Sequence, residues 1–273
     1  SKMITYFNGE FKRNKKIISV DDRGYQLGDG LYDTILYKNQ ELIFYDFHFK
    51  RLKTSAVYTK IKFNFNKEAF KKIILELIRR NKLVNTTAVV RVTLTRESDI
   101  RGLDFNRFSS SNLSIKAVKL SNDLRLKPLK IKLAKTIRNE TSLSSKFKTT
   151  NYIDNIMEKN RAQEAQFDDV LFLNFRHKVT CCSTSNIYYR KNNRFFTPPL
   201  SDGVLNGAVR DFLVRKKKVA VKSITFDNLI KCDEIFVSNS VFVLRPVSKI
   251  NSIKMNNFKG IAVLDNFMQA QGI

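Results

Sequence analysis

The sequence predicts an α+β protein with two domains, of which the first is the smaller. Residues 67–81 place apolar side chains three and four positions apart, as on an amphipathic helix. Residues 87–95 form a run rich in β-branched side chains, which is typical of a strand. The polar stretch 121–127, closed by Pro128, is typical of a linker. We therefore predict a smaller N-terminal α/β domain over residues 1–120, a linker over 121–128, and a larger domain with more extended structure over 129–273.

Hairpins and helices alternate in the predicted N-terminal domain. Asn8-Gly9 is a favoured two-residue turn, so the flanking stretches are expected to pair as a hairpin. A second pair of strands is expected around a turn at 38–40. In order, we expect strands at 3–7, 10–18, 31–37 and 41–45, helices at 47–58 and 67–81, and strands at 87–95 and 112–120.

The predicted C-terminal domain contains more strands than helices. Asn192-Asn193 lies between two short apolar stretches and predicts a further hairpin. An irregular loop rich in Ser and Thr precedes the first helix of this domain. In order, we expect a strand at 130–136, a helix at 152–165, strands at 170–174, 185–190 and 194–196, a helix at 205–217, a strand at 234–237 and an irregular tail.

The chain carries 50 Lys and Arg against 25 Asp and Glu, a net charge of +25. These cations are spread along the chain, and only Arg215-Lys216-Lys217-Lys218 forms a compact run. No zinc-finger spacing or RNA-recognition signature accompanies them. We therefore expect a solvated basic surface and no specific nucleic-acid partner. The positive field should help to concentrate a small anionic substrate.

Composition also indicates in which compartment the protein resides and whether it binds a metal. A hydrophobic content of 42% with 22 Phe is typical of an ordered globular protein. No apolar run approaches the roughly 20 residues of a membrane helix, and the first residues lack a signal peptide's apolar region. Three cysteines, of which Cys181 and Cys182 are adjacent, form neither a disulfide framework nor a spaced metal set. We expect a cytoplasmic protein with no membrane association and no metal.

Lys148 is the candidate catalytic residue. It lies just ahead of the helix predicted at 152–165, whose apolar residues are expected to face inward. A lysine at the edge of a core loses its proton more easily, because burial disfavours the ammonium ion. That property is what a Schiff-base lysine requires. Lys146, two residues earlier, is the competing candidate.

Five segments occur in a fixed order along the chain. They are residues 28–33 (GDGLYD), 48–55 (HFKRLKTS), 148–151 (KTTN), 205–210 (LNGAVR) and 238–241 (SNSV), the last followed by Arg245-Pro246-Val247. In this order they resemble the pattern of the class IV (fold type IV) pyridoxal-phosphate enzymes. That family includes D-amino-acid and branched-chain aminotransferases and 4-amino-4-deoxychorismate lyase. The resemblance covers nearly the whole chain.

The resemblance implies a two-domain type IV fold, a homodimer and pyridoxal 5'-phosphate (PLP) as cofactor. It implies that Lys148 is the Schiff-base lysine, since Asn151 sets the register of the Lys-x-x-Asn pattern. Arg51 would bind the cofactor phosphate, Tyr32 would line the substrate pocket, and His48 would be a packing or hydrogen-bonding residue. The other implied cofactor-binding residues are Cys181, Ser185, Asn186, Gly207, Ala208, Val209, Asn239 and Ser240.

Two of these positions depart from the family pattern. Val209 replaces the usual threonine, which removes one hydroxyl contact and leaves the backbone N–H groups of a helix start. Cys181 stands where the family's Thr-Glu-x-x-x-x-Asn places the glutamate that keeps the pyridine nitrogen protonated. A neutral thiol is a weak donor and supplies no negative charge. Either Cys181 is a thiolate, or another group substitutes, or catalysis is impaired.

The segment after residue 95 helps to distinguish between the reactions that the family catalyses. Arg101 resembles the arginine with which lyases and D-amino-acid transaminases bind a substrate carboxylate. The transaminase pattern adds a histidine two residues later, where this chain has Leu103. This difference, with Asn239-Ser240 and Asn206-Gly207, favours 4-amino-4-deoxychorismate lyase. An amino-acid transaminase of the D-amino-acid or branched-chain type, and a family member that has lost catalysis, are the alternatives.

Overall fold

The computed structural model describes residues 3–13, 16–98, 100–106 and 109–273. The chain divides into an N-terminal unit, Ser1–Asn122 with Phe147–Asn151, and a C-terminal unit, Asp123–Lys146 with Tyr152–Ile273. The division falls inside the predicted linker. It differs from the predicted domains in one respect, because the segment with Lys148 belongs to the N-terminal unit. The backbone explains this: Tyr32 N donates to Lys148 O at 3.0 Å, which ties the segment to the N-terminal sheet.

The N-terminal unit contains an antiparallel sheet covered by two helices. Its described elements are β1 (Thr5–Phe7), β2 (Glu10–Lys12), α1 (Arg23–Leu27), β3 (Gly30–Lys38), β4 (Glu41–Leu42), α2 (Tyr45–Thr59), α3 (Lys67–Arg80), β5 (Ala88–Glu97) and β6 (Ser110–Lys119). Strand order is β2-β1-β6-β5-β3-β4. The apolar faces of α2 and α3 form one core with β3, β5 and β6, including Leu52, Phe70, Ile74, Val90 and Ile115.

Two of the predicted N-terminal strands are too long. The strand expected at 41–45 ends at Leu42, because Phe44 adopts a left-handed backbone with φ 56° and Tyr45 begins α2. The strand expected at 10–18 ends at Lys12, and residues 14 and 15 lie outside the described part of the chain. The turn between β3 and β4 is as predicted. Asn39 and Gln40 both have positive φ, at 52° and 61°, as a tight hairpin requires.

The C-terminal unit is built around a mixed sheet. Its described elements are β7 (Leu129–Leu133), α4 (Leu143–Lys146), α5 (Ile153–Glu164), β8 (Asp169–Leu173), β9 (Val179–Cys182), β10 (Asn186–Lys191), β11 (Arg194–Thr197), a 3-10 turn (Leu200–Asp202), α6 (Ala208–Arg215), β12 (Ala220–Val221), α7 (Phe226–Leu229), β13 (Glu234–Asn239), β14 (Val243–Ile250), β15 (Ile253–Lys254) and α8 (Lys259–Ala270). Strand order is β12-β11-β10-β13-β14-β7-β8-β9, and β9 also pairs with β10.

This last pairing closes part of the sheet into a barrel. Strands β10, β13, β14, β7, β8 and β9 return to β10 through the pair Cys181 and Asn186. The barrel encloses the main core of the unit, which includes Ile131, Leu171, Ile187, Ile235, Val237 and Val247. Alternate residues of β10 and β13 therefore point away from this core, among them Tyr188 and Ser238.

The prediction of an irregular tail is wrong. Residues 243–270 form β14, β15 and α8, and α8 buries Ile261, Leu264 and Met268 at helical spacing. Its first turn is capped from a distance, since the Glu234 carboxylate accepts from Gly260 N at 2.9 Å and Ile261 N at 2.7 Å. Among the described residues, no helix combines the length and the apolar character needed to cross a membrane.

Candidate active site

Lys148 is fixed by backbone pairing with the first residues of β3. Tyr32 N donates to Lys148 O at 3.0 Å, and Thr150 N donates to Gly30 O at 3.0 Å. Leu31 and Thr149 form an antiparallel bridge between these two bonds. The lysine therefore occupies a defined position beside the sheet of the N-terminal unit, although the segment that carries it is irregular.

The side chain of Lys148 is half-buried against Tyr32. Its Nζ donates to the Tyr32 hydroxyl at 3.2 Å and lies 4.3 Å from the centroid of the Tyr32 ring. The Arg91 guanidinium lies over the same ring, 3.5 Å from the centroid. The competing candidate, Lys146, is exposed. Of the two lysines, Lys148 is thus the less exposed. The expectation that the apolar residues of the following helix face inward is wrong, since Ile153, Ile156 and Met157 of α5 are exposed.

The first and third sequence motifs contact each other. Gly28 adopts φ 69°, and its carbonyl accepts from Asn151 Nδ2 at 2.9 Å and from Thr150 Oγ1 at 3.0 Å. A Cβ at position 28 would lie 2.8 Å from Asn151 Oδ1. Both the backbone angle and the close approach therefore require glycine at this position. Asn151 holds the turn before β3 against the segment that carries Lys148.

Asp33, which the sequence argument left without a role, organises the second motif. Its carboxylate accepts from Arg51 Nε at 3.0 Å and Arg51 Nη2 at 2.7 Å, and His48 Nδ1 lies 2.8 Å away. Burial raises the pKa of the Asp33 carboxyl, but Arg51 and His48 outweigh it and hold the pKa far below its usual value. The available signal was the i, i+3 spacing of His48 and Arg51, which puts both on one helix face.

Arg101, the predicted carboxylate ligand, is exposed on the loop 100–106. Arg23 holds this loop, because its guanidinium donates to the carbonyls of Gly102, Leu103 and Asp104 at 2.9–3.1 Å. Nothing in the local sequence marks Arg23 as the partner of a loop so far along the chain. Arg96 is buried and donates to Asp29 and to the Thr59 carbonyl, so its role is structural.

In the C-terminal unit, Cys181 and Asn186 lie opposite each other on β9 and β10. Cys181 is buried, and its sulfur lies 3.8 Å from the Thr180 hydroxyl. Ser185 is also buried, and its carbonyl accepts from Cys182 N at 2.9 Å. Burial, and then the neighbouring Asp169, raise the pKa of the Cys182 thiol well above its usual value. Cys182 is accordingly a neutral thiol.

Asn186 and Gly207 set the start of α6. Asn186 Nδ2 donates to Leu205 O at 2.9 Å, and a Cβ at position 207 would lie 2.2 Å from Asn186 Oδ1. The helix predicted from residue 205 therefore begins at Ala208, with Gly207 as its N-cap. Ala208 and Val209 are buried in the first turn. Backbone N–H groups in a first turn have no acceptor within the helix, and Gly207 has no side chain to cap them.

The turn between β13 and β14 carries Ser240 and follows Asn239, two of the implied cofactor-binding residues. Asn239 Oδ1 accepts from Val241 N at 2.9 Å and Phe242 N at 3.0 Å, so the asparagine shapes the turn. Ser240 is half-buried in it. Before the turn, the Ser238 hydroxyl lies 2.7 Å from the Tyr188 hydroxyl, and the Tyr188 ring stacks on Phe236 at 4.8 Å. Sequence reasoning assigned no role to Tyr188, because its pairing with Ser238 depends on strand register.

Each unit, taken by itself, contains groups of the kind that PLP, the cofactor that the resemblance implies, would need. In the N-terminal unit, Lys148 is a half-buried residue with a primary amine. In the C-terminal unit, α6 begins without a side-chain cap, and Ser240 carries a hydroxyl. A helix N-terminus favours a phosphate through its free donors and its dipole. Cys181 is the position whose chemistry departs furthest from the pattern.

Comparisons with known proteins identify the family of this chain. The model of the family "Amino-transferase class IV" matches residues 30–250. D-alanine aminotransferase of Listeria innocua is 24% identical over 253 residues, 91% of this chain and 87% of that protein. Aminodeoxychorismate lyase of Bacillus subtilis is 24% identical over 272 residues, 95% of this chain and 90% of that protein.

A solved structure shows the same fold. The branched-chain aminotransferase of the archaeon Thermoproteus uzoniensis superposes with a TM-score of 0.89 over 98% of this chain and 94% of that one, at 21% identity. The α+β class and type IV fold expected from the sequence are confirmed. The chain belongs to the class IV aminotransferase family, whose members are PLP-dependent enzymes.

Proposed function

We propose that this chain is a PLP-dependent lyase that converts 4-amino-4-deoxychorismate into 4-aminobenzoate and pyruvate, a reaction of folate synthesis. The observation that carries the choice is the loop 100–106. It presents Arg101 to solvent, followed by Leu103, whose side chain is 79% exposed. A leucine cannot donate or accept a proton, so this loop offers a cation for a carboxylate without the histidine of the transaminase pattern. The relatives of this chain include an aminodeoxychorismate lyase, that of Bacillus subtilis, so a lyase lies within the range of activities that its relatives carry.

The proposed roles follow from the chemistry of each side chain. Lys148 would hold the cofactor through Nζ and, once released, would take up and return a proton at the same atom. The Tyr32 hydroxyl, which accepts from Nζ at 3.2 Å, would direct that amine and line the substrate pocket. Arg101 would bind a substrate carboxylate. When bound, the cofactor withdraws electrons from the bonds next to the substrate nitrogen.

Phosphate binding would fall to Arg51, Ser240 and the backbone N–H groups of Ala208 and Val209. Asp33 holds two nitrogens of the Arg51 guanidinium and would thereby fix its plane. Asn186, Gly207 and Asn239 would shape the loops around the phosphate, as their hydrogen bonds and close contacts indicate. Cys181 would take the place of the glutamate in the family pattern, and Ser185 would be a further cofactor-binding residue.

An amino-acid transaminase is the second candidate. The D-alanine aminotransferase of Listeria innocua is as similar to this chain as the lyase, at 24% identity. A transaminase needs a keto acid to take up the amino group, whereas the lyase releases pyruvate without one. This difference in co-substrate separates the two reactions directly.

The test is an assay of pyruvate release from 4-amino-4-deoxychorismate with no keto acid present. The lyase predicts release of pyruvate and 4-aminobenzoate in equal amounts. A protein that is inactive here, but forms alanine from D-amino acids and pyruvate, would be a transaminase.

Two lysine variants provide the control for the site. Lys148→Ala should lower turnover at least about a thousandfold, because it removes both the covalent attachment and the proton carrier. Lys146→Ala, at an exposed position two residues earlier, should retain near-normal turnover. Mass spectrometry after borohydride reduction should locate the cofactor on Lys148. A modified Lys146, or an active Lys148→Ala, would overturn the assignment.

We further propose that the enzyme is a cytoplasmic homodimer. The three cysteines are free thiols, which suits a reducing compartment. Light scattering of the purified protein would measure the mass of the assembly.

A further inference from the structure

The C-terminal unit contains a basic groove. Its lining includes none of the residues proposed above for binding PLP or substrate. The groove is a cavity of about 470 Å³. Strands β10 and β11, the residues after β12, and the start of α7 surround it. Its lining residues are Lys178, Tyr189, Lys191, Asn192, Arg194, Phe196, Lys222, Ser223, Ile224, Thr225 and Asn228.

Four cations line this basic groove, and its lining includes no carboxylate. Within the described residues, none of Lys178, Lys191, Arg194 and Lys222 forms a salt bridge. Lys191 and Arg194 are direct cross-strand partners on β10 and β11. Like charges opposite each other on a hairpin destabilise it. The fold therefore holds together positive charges that have no acidic partner in the groove.

The groove is built on ordered structure. Asn192 and Asn193 form the tight turn between Lys191 and Arg194, with φ 51° and 57°. The Tyr189 ring stacks on Phe196 at 5.3 Å, and its hydroxyl donates to Lys222 O at 3.0 Å. Lys178 lies beside Thr225 through a β-bridge. The four cations are thus attached to ordered backbone, and all four residues line the same cavity.

The chemistry of the groove indicates the class of its ligand. A single carboxylate would leave most of the four positive charges uncompensated, whereas a chain of phosphates carries several negative charges and many acceptor oxygens. A cavity of about 470 Å³ is in the size range of small-molecule sites. We propose that the basic groove binds a polyphosphate chain, supplied either as inorganic polyphosphate or as the triphosphate of a nucleotide.

Isothermal titration of the PLP-loaded protein with inorganic tripolyphosphate tests this proposal, because loading keeps the cofactor's own phosphate site filled. We expect one site per chain. The double variant Lys191→Gln/Arg194→Gln should bind at least about tenfold more weakly, because it removes two of the four positive charges that line the groove. Its melting temperature should be equal or higher, because two opposed like charges are removed.

The matched control is Lys216→Gln/Lys217→Gln, which removes the same charge from the exposed run after α6. It should bind tripolyphosphate as the unmodified protein does. ATP in a parallel titration identifies the source: equal affinity means that the phosphate chain alone is recognised, and tighter binding means that the nucleoside adds contacts. The proposal is wrong if both double variants lose affinity equally. It is also wrong if a single-stranded oligonucleotide binds where tripolyphosphate does not.

Discussion

Asp33 in the N-terminal unit and Cys181 in the C-terminal unit are both buried, but they differ in their partners. The Asp33 carboxylate accepts from Arg51 and lies 2.8 Å from His48 Nδ1. The Cys181 sulfur lies 3.8 Å from the Thr180 hydroxyl, and this cysteine stands where the family pattern carries a glutamate.

This difference separates two roles that a buried acidic residue can have. A buried acid that neutralises a cation of its own protein cannot be lost without leaving that cation uncompensated. An acid whose partner is a cofactor can be replaced by a neutral residue with little effect on the folded protein. We therefore expect Asp33 to be required for the stability of the N-terminal unit, and we propose that position 181 affects the chemistry of the bound cofactor.

Asp33→Asn is expected to have the largest effect. It leaves the mostly buried Arg51 without its carboxylate, so the free energy of unfolding should fall by about 3 kcal/mol. Urea unfolding of the cofactor-free protein would measure this. Asp46→Asn, at an exposed acid paired with Lys67, is the control and should change stability by less than about 1 kcal/mol. Equal effects of the two variants would contradict the structural role of Asp33.

The free energy of unfolding at acid pH should also depend on Asp33, with a smaller effect than that of the substitution. The pKa of Asp33 is lowered in the folded state, so its contribution is present above the unfolded pKa of about 3.9 and is lost as the pH falls toward the folded value. The unmodified protein should lose stability between about pH 5 and pH 2, at no more than about 1.4 kcal/mol per pH unit from this group. The gap between it and Asp33→Asn should narrow over that range. A gap that stays constant would exclude Asp33 as the titrating group.

Cys181→Glu tests the role proposed for position 181. The restored charge should hold the proton on the pyridine nitrogen, shift the absorption of the bound cofactor to longer wavelength, and raise turnover by up to about tenfold, or about 1.4 kcal/mol. Cys182→Ala changes the neighbouring thiol, which packs in the barrel core, and should leave the spectrum unchanged. Unchanged rate and spectrum in Cys181→Glu would remove this account of position 181.

Local patterns predicted most of the helices and strands. The helix expected at 67–81 is α3, Lys67–Arg80, because its apolar spacing and its Asn66 cap are both local. The missed α8 shows the limit of that approach. Its N-cap is Phe258, which makes no side-chain capping bond. The carboxylate that caps the helix belongs to Glu234, at the start of β13. A start signal that lies 26 residues away has no local pattern.

The candidate site shows the same limit. The register with Asn151 selected Lys148 over Lys146, and the structure places Lys148 half-buried and Lys146 exposed. The sequence could not show that Lys148 belongs to the N-terminal unit, since this depends on backbone pairing with Gly30 and Tyr32, more than a hundred residues earlier. The contact between Asn186 and Gly207 is not visible in the sequence either, because it depends on how β10 lies against the residues before α6.

The closure of the barrel has a consequence for how this chain can vary. Cys181 and Asn186 join β9 to β10, and the Asn186 side chain also fixes the residue before α6. An insertion between these two positions would open the seam of the barrel and, in the same event, displace the helix start that we propose for the phosphate. The segment 182–185 should therefore not tolerate a change of length, in contrast to the hairpin tip at Asn192-Asn193.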